Sequence, residues 1–271
     1  MPAFQPYNIR SANPTMHLTP PPPLHSGVAL FLDFDGTLVE IQPRPDTVTV
    51  SSALRTTLAR VQTALDGALA VVSGRGVDDL EQRLAPLRVP LAGIHGLERR
   101  TADGRRQTSA TAEAALTPVR AAIQQFAADH PGLLAEDKGM AIALHYRNAP
   151  THGPAVEAFM QEQQRRVGGA ARLQHGKAVV ELIGAGGDKG DAIEAFLREA
   201  PFAGRQPVYV GDDVTDEHAL ARVNAHAGIS IHVGSGGPTC AHYRLPSVAA
   251  VHTWLEGVTG VPQSVPAQRS V

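Results

Sequence analysis

Two carboxylates separated by one residue, Asp33 and Asp35, follow the apolar run Val28-Ala29-Leu30-Phe31-Leu32 and precede Gly36 and Thr37. At that spacing both can face one pocket if the chain turns after Asp35, and Gly36 permits the turn. One carboxylate can then attack an electrophile while the other shuttles a proton. Three further clusters carry comparable groups. Ser73-Gly74-Arg75 follows the apolar Ala68 to Val72, Lys189 follows Gly184-Ala185-Gly186-Gly187-Asp188, and Gly211-Asp212-Asp213-Val214-Thr215-Asp216 follows Pro207 to Val210. Carboxylates brought together repel one another unless a cation sits among them, and an all-oxygen set suits Mg²⁺. A phosphate dianion is the natural third party, because a metal, the Lys189 ammonium and backbone donors can stabilise charge shifting onto its oxygens.

The elements that must position these groups are legible as patterns. Apolar runs of this kind suit strands buried on both faces of a parallel sheet, which gathers reactive groups at its carboxyl ends. Between the runs, Leu54, Leu58, Val61 and Leu65 mark one face of a helix over 51–65, with Ser51 or Ser52 placed to cap it. Asp188 is placed to cap a helix running to about Arg198. Pro90 to Ile94 and Gly228 to Val233 add strands, so strand, loop and helix alternate. From about Glu98 to Ile183 the rhythm changes. Asp103-Gly104 signals a hairpin, 112–128 and 156–167 read as helices, and 140–146, 172–174 and 178–183 read as strands. The pattern predicts an α/β fold: a Rossmann-like parallel sheet core over 27–97 and 184–260, with an inserted α+β cap domain over 98–183. Residues 1–26, with Pro20 to Pro23, read as a disordered tail, and 261–271 as a flexible end.

Composition excludes several classes. Lys and Arg number 24 against 26 Asp and Glu, so the formal net charge of −2 leaves no footprint for nucleic acid. A single cysteine, Cys240, excludes an internal disulfide framework and points to a reducing, cytoplasmic compartment. No segment approaches the roughly 20 apolar residues of a membrane span. The glycines of 184–190 do not make a P-loop, since Gly190 rather than Ser or Thr follows Lys189. The 12 histidines show no paired helical metal spacing.

Taken in order, Asp33-Phe34-Asp35-Gly36-Thr37, Ser73, Lys189 and Gly211-Asp212-Asp213 with Asp216 resemble the four motifs of the haloacid dehalogenase superfamily of phosphatases. The resemblance implies that Asp33 is the nucleophile, that Asp35 is the acid and base, and that Ser73 and Lys189 hold the phosphoryl oxygens. It further implies Mg²⁺ on Asp33, the Asp35 carbonyl and Asp212, supported by Asp213 and Asp216, with Thr37, Gly74 and Arg75 on the substrate side. Within the insert, His95-Gly96-Leu97-Glu98, Glu136-Asp137-Lys138-Gly139, His145-Tyr146-Arg147 and Lys177 to Leu182 resemble the cap of trehalose-6-phosphate phosphatases. By that resemblance Glu98, Lys138, His145, Arg147, Lys177 and Glu181 bind the sugar. A disaccharide offers many hydroxyls and no charge beyond its phosphate, which suits such accepting and donating side chains. Ile183-Gly184 stand where related sequences often carry a basic residue and a proline, and Arg99 also departs from the pattern. The expectation is a Mg²⁺-dependent trehalose-6-phosphate phosphatase, with a possible association with a trehalose-6-phosphate synthase. The alternatives are a phosphatase of sucrose 6-phosphate or mannosyl 3-phosphoglycerate and a silent sugar-phosphate-binding module.

Overall fold

The structure, a computed structural model, describes residues 19–42 and 44–258. The expected flexible end at 261–271 and most of the expected tail lie outside the described residues. The central strand β1 (Val28–Leu32) is buried along its whole length, with Phe31 stacked on Phe202 and Phe196 at 5.3 and 6.0 Å between ring centroids. Each such side chain contributes roughly 1.5–3 kcal/mol by leaving water. On one side of β1 the chain builds α1 (Ser52–Ala64), β2 (Leu69–Val72), α2 (Val77–Leu84) and β3 (Leu91–Gly93). Ser51 rather than Ser52 caps α1, its hydroxyl accepting the Leu54 N–H at 3.1 Å.

Two short strands, β4 (Glu98–Arg100) and β5 (Arg106–Thr108), form the hairpin signalled by Asp103-Gly104. This hairpin belongs to the large sheet, not to the insert that the sequence pattern started at Glu98. Gly93 pairs antiparallel with Glu98 across a tight turn, which sends the chain straight back along β3. Arg99 and Arg100 then anchor the hairpin to the large sheet's flanking segments, pairing with Glu199 and Glu81 and, for Arg99, stacking on Phe196 at 4.7 Å.

The smaller layer follows: α3 (Ala110–Asp129), β6 (Leu134–Asp137), β7 (Ala141–His145), α4 (Gly153–Val167), β8 (Ala171–Gly176) and β9 (Val179–Gly184). Its antiparallel sheet has the order β6-β7-β9-β8. Ile142, Leu144, Val180 and Leu182 face both helices, meeting Leu116, Val119, Ile123, Val156 and Met160 in a core of their own. With a period of two, the alternate residues point the other way. Gly184, one of the departures from the related pattern, ends this layer where a side chain would strike the Ala112 backbone at 2.5 Å.

The chain then returns through α5 (Lys189–Leu197), β10 (Gln206–Gly211), α6 (Glu217–Ala225), β11 (Ile229–Val233), β12 (Tyr243–Leu245) and α7 (Val248–Glu256). The large sheet has the order β12-β11-β10-β1-β2-β3-β4-β5, parallel from β12 to β3. Strand order therefore reverses between β1 and β10, the place where such sheets open a crevice at their carboxyl ends. The last residues of the expected tail are not loose. Pro22 accepts the Trp254 indole N–H at 2.9 Å, and Leu24 is buried in the core, so α7 gives this proline-rich stretch both an apolar floor and a donor. Among the described residues no helix is long and apolar enough to cross a membrane.

Candidate active site

Asp33 lies just past β1 and Asp212 just past β10, on either side of the reversal point. Lys189, first residue of α5, places its ammonium 2.7 Å from Asp33 Oδ1 and 2.7 Å from Asp216 Oδ1. Burial alone would lower the pKa of Lys189, but Asp216 and Asp33 outweigh it and hold the ammonium above the ordinary lysine value. Asp216 is fully committed: Tyr209 donates to Oδ1, and the N–H groups of Asp212 and Asp213 donate to Oδ2 at 2.9 Å each. It shapes the loop that presents Asp212. Gly36 makes room for that loop, since its φ is +87° and a Cβ there would stand 2.1 Å from Asp212 Oδ2.

One oxygen each of Asp33, Asp212 and Asp216 lies within 4.8 Å of the others, and the single ammonium among them, that of Lys189, pairs with Asp33 and Asp216 but not with Asp212. Burial, reinforced by Asp216 and Asp212 and opposed by Lys189, pushes the Asp33 carboxyl well above the usual range. Burial and the neighbouring Asp216 push Asp212 up to about 7. Asp212 Oδ1 is buried with no hydrogen-bond partner among the described residues. Carboxyls crowded in this way, one with an unsatisfied oxygen, fit a hard divalent cation held by oxygen ligands. Asp213 is not in that cluster. It is exposed at the cleft edge and accepts the Val214 N–H at 2.8 Å, capping a short turn.

Asp35 faces the cleft in the grip of Arg75, whose Nε and Nη2 donate to it at 2.6 and 2.8 Å. Its carboxylate also lies outside the cation cluster. Arg75 is fixed in turn by Asp79 at 2.9 Å and by the Phe34 ring at 5.5 Å. Ser73 follows β2, buried, with its hydroxyl accepting the Arg75 N–H at 3.2 Å.

The polar face of the small sheet closes over this floor. Pairing sets Glu136, Ala143, Glu181 and Gln174 in one row across four strands, and Leu134, His145, Val179 and Gly176 in the next. Glu181 is buried between Lys138 at 2.8 Å and His95 at 3.1 Å. Burial would raise its pKa, but Lys138 and His95 hold the carboxyl far below the ordinary value. His145 lies 3.0 Å from Glu136. Arg147 donates to the carbonyls of Gln42 and Lys177 at 3.1 and 3.2 Å, joining the loop after β1 to the β8–β9 turn. Between the two sheets lies a cleft of ≈ 1120 Å³. Asp33, Asp35, Ser73, Gly74, Arg75, Lys138, His145, Arg147, Lys177, Glu181, Lys189, Asp212 and Asp213 all line it.

Two expected substrate contacts lie elsewhere. Glu98 is buried, its carboxylate accepting the Val77 N–H at 2.9 Å, so it serves the N-terminus of α2. Thr37 is wholly buried and does not line the cleft. The sequence pattern held His95 and Glu136 within its cap motifs without giving either a role, and it gave none to Gln174, which lines the cleft with them, or to Tyr209, which steadies Asp216. Glu136 carried a signal: it precedes Lys138 by two and opens the polar row.

Comparison with known proteins agrees with this arrangement. The family profile described as trehalose-phosphatase matches residues 31–249. The chain is 44% identical over 245 residues to trehalose-6-phosphate phosphatase of Escherichia coli, covering 90% of this chain and 91% of that one. A crystal structure of a trehalose-6-phosphate phosphatase related protein superposes with a TM-score of 0.72 at 25% identity, over 84% of this chain and 95% of that one. A phosphatase of the haloalkanoate (HAD) enzyme superfamily from Bacteroides thetaiotaomicron shares the fold, with a TM-score of 0.57 at 16% identity over 90% and 96% of the two chains. With a trehalose-phosphatase profile matching residues 31–249 and 44% identity over nine-tenths of its length, the chain that builds this acid-lined crevice belongs to the trehalose-phosphatase family.

Proposed function

We propose that the protein hydrolyses trehalose 6-phosphate to trehalose and phosphate through a phosphoryl group carried on Asp33. An oxygen of Asp33 attacks phosphorus, the bond to the sugar oxygen breaks, and Asp35 gives its proton to the departing alkoxide. Asp35 then takes a proton from water, whose oxygen attacks the same phosphorus and releases phosphate and free Asp33. Ser73 and Lys189 hold the phosphoryl oxygens, the lysine as a fixed charge. Asp33, Asp212 and the Asp35 carbonyl would hold Mg²⁺, which supplies charge stabilisation at those oxygens. The smaller layer acts as the cap, with Glu136, Lys138, His145, Arg147, Lys177 and Glu181 meeting the sugar hydroxyls.

One observation carries this reading: Asp33 and Asp212 of the acid cluster and Glu136, Gln174 and Glu181 of the small sheet line a single cleft. Its volume of ≈ 1120 Å³ accommodates a disaccharide phosphate. The test is phosphate release from trehalose 6-phosphate, sucrose 6-phosphate, mannosyl 3-phosphoglycerate and glucose 6-phosphate, with and without Mg²⁺. The expected result is Mg²⁺-dependent preference for the first; preference for another ester overturns the substrate. A cytoplasmic location, supported by the single cysteine, and association with a trehalose-6-phosphate synthase belong to the same reading, the second tested by co-purification.

A further inference from the structure

Ile94 and His95, between β3 and β4, have positive φ at successive side-chain-bearing residues, +48° and +55°. Such backbone persists only where its surroundings over-determine it, all the more for a β-branched residue. One restraint is the Ser73-Gly74-Arg75 loop. The Ile94 N–H donates to the Arg75 carbonyl at 2.9 Å and the His95 N–H to the Ser73 carbonyl at 3.0 Å. The His95 ring covers Gly74 so closely that a Cβ there would stand 2.6 Å from it. The other restraint is the small sheet: ring Nε2 lies 3.1 Å from Glu181 Oε2 and 3.2 Å from the Gln174 amide nitrogen.

We infer that His95 is a positioning residue: donating from Nε2–H, it fixes Glu181 toward the sugar hydroxyls and ties it to the loop that holds the phosphoryl oxygens. The inference rests on the sugar phosphatase reading above. The tautomer follows from the partners. Nε2 faces the Glu181 carboxylate, which only accepts, so this nitrogen carries the proton, and the Gln174 amide nitrogen, itself a donor, touches Nε2 without a hydrogen bond to it. Nδ1 is then a bare acceptor, and it is buried without a partner among the described residues. A second proton there would be an unsatisfied buried donor, and burial accordingly holds the ring below the ordinary histidine value despite Glu181. Because its backbone grips one loop and its ring the opposite sheet, displacing Glu181 also disturbs the register of sugar over phosphate.

Two substitutions separate the donor from the space it fills. His95→Gln keeps an N–H near the place of Nε2, whereas His95→Leu keeps bulk without a donor, and both carry the same strained backbone. With trehalose 6-phosphate and Mg²⁺, H95L should raise KM about tenfold or more, the effect of one hydrogen bond to a charged group. Its kcat should move less, and H95Q should return KM to within about threefold of wild type. Equal KM in the two variants overturns the inference. Nitrogen NMR of the wild-type ring needs no variant to fold: a protonated Nε2 with a bare Nδ1 at neutral pH is expected, and the opposite tautomer or a doubly protonated ring overturns it. Failure of the wild-type enzyme to hydrolyse trehalose 6-phosphate instead overturns the functional reading.

Discussion

Asp33 and Asp216 are both carboxylates on Lys189, yet their surroundings give them different work. Asp33 opens to the cleft, whereas Asp216 has every acceptor position engaged by Lys189, Tyr209 and two backbone N–H groups. Asp33→Asn should therefore abolish turnover by at least about a thousandfold, since an amide is a poor nucleophile. Phosphate release and a thermal melt of the same sample check it, with folding expected to survive. Asp216→Asn should instead act on stability. Either orientation of the amide sets its NH₂ against existing donors, at a cost of about 3 kcal/mol measured by urea unfolding.

The elements separate residues of similar appearance in the sequence. Glu98 and Glu181 are both buried glutamates, but one lies where β4 passes the N-terminus of α2 and the other on the cleft face of β9. Glu98→Ala removes the acceptor of the Val77 N–H and should lower stability by about 1–2 kcal/mol while leaving KM for the sugar phosphate in place. The Glu181 pair gives a pH signature. Because its folded pKa is depressed, its contribution is present above the ordinary carboxylate range and is lost as pH falls through that lowered value. Lys138→Met should leave the carboxylate without its ammonium, lower stability near neutral pH by about 3 kcal/mol, and narrow the gap to wild type as acid protonates Glu181. Urea midpoints of both proteins between pH 3 and 7 check the sign.

The molecule as a whole places three carboxylates around one ammonium at the carboxyl end of one sheet and a polar second sheet above them. A cation that binds only the folded chain must stabilise it. Mg²⁺ should raise the melting temperature in a concentration-dependent way, by about 2.7 kcal/mol equivalent at a hundred times its Kd. Chelation should reverse the shift, and Asp212→Asn should abolish most of it.

What the sequence determined on its own was the local chemistry: which runs are buried strands, that one of Ser51 and Ser52 caps one helix and Asp188 another, and that four clusters of acid, hydroxyl and lysine end or begin those elements. Those features are written in nearest neighbours, and the family resemblance rests on them. Tertiary structure alone decided which buried glutamate meets the cleft, since a strand's facing depends on its partner and register. It also moved the hairpin at 98–108 onto the large sheet and folded Pro22 and Leu24 against α7, because antiparallel return along β3 and contact with Trp254 are pairings between distant segments. Convergence of Asp33, Lys189 and Asp212 required the strand order to reverse between β1 and β10. That reversal is a property of the assembled sheet, and no window of sequence contains it.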